Sequence, residues 1–229
     1  YRNKVTIAFL NEEFARLAKG LDDAGMAHGD LQHGNMIVTQ SGDRLNLKLI
    51  DYDAIYVPDL AGKLSLEIGH PNYQHPERNE YNYDTTADNF SCWLIYNSLS
   101  MIEIDPGLFD KFSGGDECIL FRRKDLIHPE ESAVFNYLLN HQSEEIKEMT
   151  TIIIRMLWTR PELIPELHDK EELDLLPTIK PISKSVHSQE DEFYLETKKE
   201  ESAINIDNIR SGTRFHQIQR IDWQNLEKE

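Results

Sequence analysis

A short polar loop followed by a compact hairpin is the sequence feature that most restricts how this chain can fold. Residues 28–35 read His-Gly-Asp-Leu-Gln-His-Gly-Asn, and their glycines and polar residues predict a loop. Two short apolar stretches follow at residues 36–38 and 45–50, and the Gln-Ser-Gly-Asp sequence between them is typical of a hairpin turn. Asp51 comes at the end of the second predicted strand. The pattern therefore predicts a loop and a small β-hairpin that end at a carboxylate.

Helical patterns lie on both sides of this hairpin. Residues 11–26 carry apolar side chains at helical spacing, with Asn11 as the expected N-cap. Residues 51–77 are irregular and rich in Gly, Pro, Asp and Tyr, and such long stretches are usually functional or disordered. A helix around residues 90–99 is apolar on more than one face and is expected to be central and buried. Further helices are expected near residues 106–112, 129–141 and 143–158. The predicted fold is mainly α with a small β-hairpin.

Composition divides the chain into two parts. A content of 39% apolar residues in a chain of 229 is enough for one buried core. After about residue 180, Ser, Lys, Glu and Gln become frequent and hydrophobicity falls. We therefore expect one domain over residues 1–180 and a polar, charged tail or linker over residues 181–229. Within that tail, residues 213–226 are a candidate docking segment because they include the apolar residues Phe215, Ile218, Ile221 and Trp223.

Charge and cysteine content restrict the partners and the compartment. The formal net charge of -17 disfavours both nucleic acid and an anionic membrane surface as partners, because each binds clustered Lys and Arg. An enzyme that handles ATP remains compatible, since bound magnesium supplies positive charge locally. No apolar run is long enough to cross a bilayer, and the first residues lack a secretory signal. With two cysteines, Cys92 and Cys118, we expect reduced thiols in a cytoplasmic protein.

Three polar residues of the loop and the hairpin have a distinctive spacing. Asn35 lies five residues after Asp30, and Asp51 follows after the predicted hairpin. Protein kinases carry an H-R-D catalytic loop with an Asn five residues after the Asp, and then a metal-binding D-F-G turn. The chain therefore resembles the protein-kinase superfamily, and in particular bacterial kinase-like proteins with an HGDLQHGN loop.

The resemblance implies a role for each of these residues. Asp30 would orient the acceptor hydroxyl and take its proton, and Gln32 stands where Ser/Thr kinases usually place a Lys that steadies the transferred phosphate. Asn35 and Asp51 would hold the metal ion that bridges the phosphates of ATP, since Mg²⁺ prefers hard oxygen ligands. ATP with Mg²⁺, or Mn²⁺ in its place, is the expected cofactor.

Supporting motifs follow in the order that this family implies. Residues 69–77 resemble the end of an activation segment, so Glu77 is expected to pair with a buried arginine, which we assign to Arg160. Asp88 resembles the Asp that starts the central helix and braces the catalytic loop from below. In the same comparison His28 packs the catalytic loop.

Several positions depart from the kinase pattern. Gly29 replaces the Arg that clamps a phosphorylated activation loop, so this switch is not expected. Ser65 is the one aliphatic hydroxyl in residues 51–77, which agrees with that expectation. Tyr52 and Asp53 replace the usual Phe-Gly after the metal-binding Asp and remove a flexible glycine.

The predicted C-terminal lobe has no kinase N-lobe beside it in this sequence. Only 27 residues precede His28, and they contain no Gly-x-Gly loop. The five-stranded N-lobe that grips nucleotide phosphates therefore has no room here. Since the chain also begins with Tyr1, we expect a C-terminal lobe from a longer protein with an upstream N-lobe. On its own it is expected to bind Mg·ATP poorly.

The resemblance favours an ATP- and magnesium-dependent phosphotransferase, most simply a protein Ser/Thr kinase in the full-length parent. Two alternatives stay open: a pseudokinase or scaffold lobe that binds partners without catalysis, and a small-molecule kinase similar to aminoglycoside phosphotransferases. A metal-dependent hydrolase is a more distant third. The physiological acceptor, whether a protein or a small molecule, is not specified by the sequence.

Less specific interpretations of the same residues are also open. The histidine pairs His28–His33 and His70–His75 could ligate a metal ion, although a spacing of five does not match the helical zinc pair. Asp30 and Asp51 could be ordinary loop carboxylates. Asp88 could simply cap the central helix, a role that is compatible with bracing the loop.

Overall fold

The chain folds into a mainly helical structure with a small antiparallel sheet, as the sequence predicts. The computed structural model describes residues 6–41, 44–115, 117–178 and 218–220. The helices in these residues are α1 Ile7–Asp23, α2 Asn89–Ile104, α3 Gly107–Lys111, α4 Arg123–Ile127, α5 Ala133–Leu139 and α6 Glu144–Leu157. The strands are β1 Met36–Ser41, β2 Arg44–Leu49 and β3 Ile218–Arg220. Short 3-10 turns cover His33–Asn35, Pro58–Leu60, Thr85–Asp88, Pro161–Leu163 and Lys170–Leu175.

The sheet has the order β2-β1-β3, with both pairs antiparallel. The register of the hairpin pairs Met36 with Leu49 and Ser41 with Arg44, so the predicted hairpin is confirmed. On the other edge of β1, Ile37 pairs with Arg220. The rest of the predicted tail and of its candidate docking segment lies outside the described residues.

Helix α1 begins earlier than the sequence suggested. Thr6 is the N-cap, and its side chain accepts a hydrogen bond of 3.1 Å from the backbone N–H of Phe9. The expectation that Asn11 caps this helix is wrong: Asn11 lies inside α1, and its Nδ2 donates to Ser100 Oγ of α2 at 2.7 Å. The earlier start brings Ile7 and Leu10 into the core as helical residues, which favours Thr6 as the cap.

Helix α2 is the centre of the structure. It packs against α1 and α6, while α1 also contacts β2 and α5 packs on α6. Most of its residues are buried, as expected from its apolar sequence. Two side chains near its start reach a later segment: Asn89 Nδ2 donates to Ile164 O at 2.7 Å and Trp93 Nε1 to Pro165 O at 3.0 Å. None of the described helices is both long and apolar enough to span a bilayer.

The segment between the hairpin and α2 is irregular and is held by individual hydrogen bonds. An isolated bridge joins Ala27 to Tyr56, with N···O distances of 3.2 and 2.8 Å. Ser65 is buried, its N–H donates to Glu80 O at 2.9 Å, and its hydroxyl donates to Glu67 O. The segment therefore follows a defined path beside the loop of residues 28–35 without regular secondary structure.

A half-buried carboxyl at the end of α1 makes the stability of the fold depend on pH. Burial raises the pKa of Asp22 to about 6, helped by the carboxylates of Glu166 and Asp88. Because this pKa lies above the ordinary 3.8, the fold disfavours the ionised form. The stability contributed by Asp22 is therefore complete below the unfolded-state pKa and is lost as pH rises through the folded-state pKa.

We expect Asp22→Asn to raise the melting temperature at neutral pH by roughly 1–3 °C, allowing for partial solvent screening. At a pH near the ordinary pKa of an aspartate the difference should vanish, because the wild-type carboxyl is then largely protonated. Calorimetric scans across this pH range measure both effects. Asp23→Asn is the matched control, since Asp23 is exposed and pairs with Lys19 at 2.7 Å. An equal neutral-pH rise in that control would contradict the explanation.

Candidate active site

The carboxylate of Asp30 is held by three hydrogen-bond donors. Its Oδ2 accepts from Gln32 Nε2 and from Asn35 Nδ2, both at 2.9 Å. Its Oδ1 accepts from the backbone N–H of His70 at 2.6 Å. An ionised carboxylate has about four acceptor positions, so one position on Oδ1 is left for a further donor. The arrangement fixes the orientation of Asp30 and leaves it able to accept a hydrogen bond from a hydroxyl.

A glycine makes the contact between Asp30 and His70 possible. Gly69 has a φ of 83°, and a Cβ at this position would lie 2.9 Å from Asp30 Oδ1 and 2.7 Å from Gly29 O. Any side chain here would push the segment away from the loop and would also strain the backbone. The close approach of residues 69–70 to Asp30 therefore requires glycine.

Asn35 links Asp30 to the start of the hairpin. Its Nδ2 donates to both the backbone oxygen and Oδ2 of Asp30, each at 2.9 Å, which uses both amide hydrogens. No donor among the described residues reaches Asn35 Oδ1, so this oxygen keeps its lone pairs. The backbone N–H of Ile50 donates to Asn35 O at 3.0 Å, which extends the hairpin register by one pair. Asp51 consequently follows directly after the residue opposite Asn35.

Asp51 has an unusual backbone conformation. It is exposed and has a φ of 66°, in the left-handed region that non-glycine residues rarely adopt. Such strained conformations cost about 1–3 kcal/mol and are concentrated at functional sites. The amide oxygen of Asn35 and the carboxylate of Asp51 are thus two oxygen donors at one end of the hairpin. This donor set fits Mg²⁺, which binds few protein ligands and keeps several waters.

The described residues contain no group of three or more His, Cys, Asp or Glu side chains that could hold a metal ion. Two of the histidines considered as ligands contact other groups. His28 Nε2 lies 3.0 Å from Ile50 O, and His33 Nδ1 lies 2.5 Å from the hydroxyl of Tyr73.

His28 joins the loop to the strand that leads to Asp51. Its ring is fully buried, and because a carbonyl only accepts, Nε2 carries the hydrogen in the contact with Ile50 O. The centroid of the His28 ring lies 5.4 Å from that of Tyr52. The side chain therefore connects the loop of residues 28–35 to the residues on either side of Asp51.

Asp88 holds the same loop from the start of α2. Its carboxylate is buried and accepts hydrogen bonds from the backbone N–H of His28 and, at 3.0 Å, from that of Gly29. It occupies the N-cap position of α2 but makes no side-chain capping bond to that helix. Burial raises the pKa of Asp88, and the nearby guanidinium of Arg78 is the largest opposing influence. The carboxylate thus faces the loop and not the helix end.

The structure does not bring Glu77 and Arg160 together, which corrects the sequence-based pairing. Arg160 forms an ion pair with Glu162, and its side chain is 69% exposed. Glu77 is also exposed. A pair two residues apart in solvent forms without burying either charge, whereas the Glu77 pairing would have required both to be desolvated.

Arg123 instead anchors residues 72–76, and sequence reasoning missed it. Its guanidinium donates to Gln74 O at 3.2 Å, to His75 O at 3.4 Å and to Pro76 O at 2.9 Å. Its backbone N–H donates to Asn72 Oδ1 at 2.7 Å. No local pattern marks this arginine, because its partners are backbone carbonyls about fifty residues earlier in the chain.

Arg78 is a second arginine that the sequence did not identify. It directly follows Glu77, is only 7% exposed, and its Nη1 donates to Gly29 O at 3.0 Å and to Gln74 Oε1. Arginine is almost never fully buried unless it is paired, so a single sequence offers no signal for this position.

Comparison with known proteins relates part of the chain to a kinase. A stretch of 111 residues is 30% identical to the serine/threonine-protein kinase dst2 of Dictyostelium discoideum. The match covers 46% of this chain and 9% of that protein, so the chain spans a small fraction of its relative. No family model matches the chain. The chain is thus similar over part of its length to a Ser/Thr kinase.

Arg123 and Arg160 should differ in their effect on stability. We expect Arg123→Ala to lower the free energy of unfolding by about 1–3 kcal/mol, because three carbonyls lose their donor. Arg160→Ala should change it by no more than about 0.5 kcal/mol, since its pair is exposed. Urea unfolding of both variants provides the measurement. A larger loss for Arg160→Ala would restore the buried-pair interpretation.

Proposed function

We propose that this chain is the catalytic lobe of an ATP- and magnesium-dependent phosphotransferase of the protein-kinase type. The observation that carries the proposal is the fixed carboxylate of Asp30, hydrogen-bonded to Asn35 next to the strained Asp51. The similarity of part of the chain to a Ser/Thr kinase supports it. By the same similarity, we propose protein Ser/Thr hydroxyls as the acceptors.

Asp30 is assigned to the acceptor hydroxyl. The open acceptor position on Oδ1 would receive the hydroxyl hydrogen, orient the oxygen toward the phosphorus and take the proton as the new O–P bond forms. The donors from Gln32, Asn35 and His70 favour one orientation of the carboxylate, which reduces the entropy lost in reaching the reactive geometry. Gln32 donates to Asp30, so we assign it to orientation of this base.

Asn35 and Asp51 are assigned to the metal ion. Bound Mg·ATP supplies the transferable phosphoryl group and the positive charge that the acidic chain lacks. Asn35 Oδ1 and the carboxylate of Asp51 would hold Mg²⁺, or Mn²⁺ in its place. His28 and Asp88 support these residues by holding the loop in place. An upstream N-lobe in the intact protein would grip the nucleotide.

Composition and burial support a proposed location and proposed classes of partner. Cys92 and Cys118 are buried free thiols, which supports a reducing, cytoplasmic location. The net charge of -17 supports an acceptor other than nucleic acid and a protein that does not bind anionic membranes.

The second candidate is a lobe that binds partners without catalysis. Large apolar side chains are exposed in the segment between the hairpin and α2, and this favours it: Leu64, Leu66, Ile68 and Tyr81 are 40–97% exposed. The neutral Gln32, at the position where Ser/Thr kinases usually have a lysine, also favours this second candidate. A small-molecule kinase is separated from a protein kinase by the acceptor alone, so a survey of acceptors decides between them.

The central test is transfer of the terminal phosphate of ATP by the intact protein that contains this chain. We expect magnesium-dependent transfer that falls by about 10²–10⁴-fold in Asp30→Asn, because the variant cannot take the proton. Asp53→Asn is the matched control, since Asp53 is exposed and is not among the hydrogen-bond partners of the Asp30 carboxylate in the described residues. If the folded wild type transfers nothing to varied acceptors, the partner-binding lobe becomes the better proposal.

A second test addresses the metal ligands separately from the chemistry. Asp51→Asn should weaken nucleotide binding in the presence of Mg²⁺ by roughly ten- to a hundredfold, while binding without metal stays unchanged. Titration calorimetry on the intact protein, with and without Mg²⁺, measures the difference. Asp53→Asn again serves as the control. Equal Mg·ATP affinity in wild type and Asp51→Asn would remove Asp51 from this role.

A further inference from the structure

A buried arginine contacts the residue that precedes Asp30. The Nη1 of Arg78 donates to Gly29 O at 3.0 Å and also to Gln74 Oε1. Both Arg78 and Gln74 are buried, at 7% and 2% exposure. The contact joins two parts of the chain that are 49 residues apart, and it reaches the peptide group between Gly29 and Asp30 itself.

The charge of Arg78 is compensated mainly by carboxylates of the site. Burial lowers the pKa of its guanidinium, whereas Asp88, Asp30 and Asp84 act in the opposite direction. A buried cation is costly unless it is paired, so these carboxylates and Arg78 stabilise one another. Asp88 in turn accepts from the backbone N–H of Gly29 at 3.0 Å. The peptide groups on both sides of Gly29 are therefore held, one by an anion and one by a cation.

Position 29 itself cannot carry a cationic side chain. This residue has a φ of 80°, and a Cβ there would collide with the backbone oxygen of Ala54. The conformation and the lack of space both require glycine. A positive charge beside this peptide must consequently come from another segment, and Arg78 provides it.

The segment that carries Arg78 also touches Asp30 directly. Residues 69–78 supply the His70 N–H that donates to Asp30 Oδ1 at 2.6 Å. Gln74 lies between the two contacts: its Oε1 accepts from Arg78, and its Nε2 lies 2.8 Å from where a Cβ of Gly69 would be. One segment thus fixes both the carboxylate of Asp30 and the peptide group before it.

We infer that Arg78 is a positioning residue for Asp30, which it holds in place through the carbonyl of Gly29 and through its charge. The inference rests on the proposed function in naming Asp30 as the base. Loss of the cation leaves Asp88 buried without its main counter-charge and frees the Gly29–Asp30 peptide to move. Misplacement of a reacting group by about 1 Å can lower a rate by roughly a hundredfold, so the effect falls on the chemical step.

The test compares Arg78→Met and Arg78→Lys with the control Arg123→Met in the intact protein. Arg123 anchors the same segment through backbone carbonyls at Gln74–Pro76 and donates to no atom of the loop. Amide hydrogen exchange gives a readout that does not depend on activity. We expect Arg78→Met to speed exchange at Gly29 and His70 by about tenfold or more, relative to amides of α6. Arg123→Met should not reproduce the change at Gly29, and Arg78→Lys should partly restore protection there.

Kinetics provide the second readout. Arg78→Met should lower kcat for phosphoryl transfer by about tenfold or more with little change in KM for ATP, and Arg78→Lys should recover part of the loss. Arg123→Met, compared at a temperature where both variants are folded, should retain the wild-type kcat. Unchanged exchange at Gly29 in Arg78→Met overturns the inference, as does an equal loss of kcat in Arg123→Met. If the wild type transfers no phosphate while exchange at Gly29 still depends on Arg78, the proposed function fails and the role of Arg78 in fixing the loop stands.

Discussion

The candidate site depends on the buried carboxylate of Asp88, which accepts the backbone N–H groups of His28 and Gly29. These bonds fix the loop to the start of α2, the most buried helix of the structure. Asp88 thus holds the main chain of the loop, while the carboxylate of Asp30 accepts hydrogen bonds from Gln32, Asn35 and His70. A buried carboxylate is stable only with donors and a counter-charge, so the arrangement also requires Arg78.

The segment between the hairpin and α2 completes the site through long-range contacts. It has little regular secondary structure. Gly69 and Arg78 hold it against the loop, whereas Arg123 binds the carbonyls of residues 74–76 and donates to no atom of the loop. Each of these contacts uses backbone groups as partners. The geometry around Asp30 therefore depends on the contacts that Gly69, His70 and Arg78 make with the loop as much as on the loop itself.

Local patterns predicted the helices and the hairpin because apolar spacing and turn residues reflect local geometry. The start of α1 was placed too late, since Thr6 and Asn11 are both competent caps and the burial of Ile7 decides between them. The pairing of Glu77 with Arg160 was wrong because either charge could be buried or solvated, and the tertiary structure leaves both exposed. Whether a charge is buried depends on residues that are far away in the chain and close in space, and a single sequence does not show which residues these are.

The sequence by itself determined a mainly helical fold with a small hairpin, and it marked Asp30, Asn35 and Asp51 through their spacing. The sequence also shows where the glycines are, but only the structure shows why Gly29 and Gly69 are needed. Only the tertiary structure decided which donors hold Asp30 and that Arg78 is buried against the loop. The physical reason is that hydrogen bonds and buried charges depend on distances between residues far apart in the chain. The periodicity of a sequence predicts contacts within a helix or strand. Contacts between residues that are far apart in the chain form only when the chain folds.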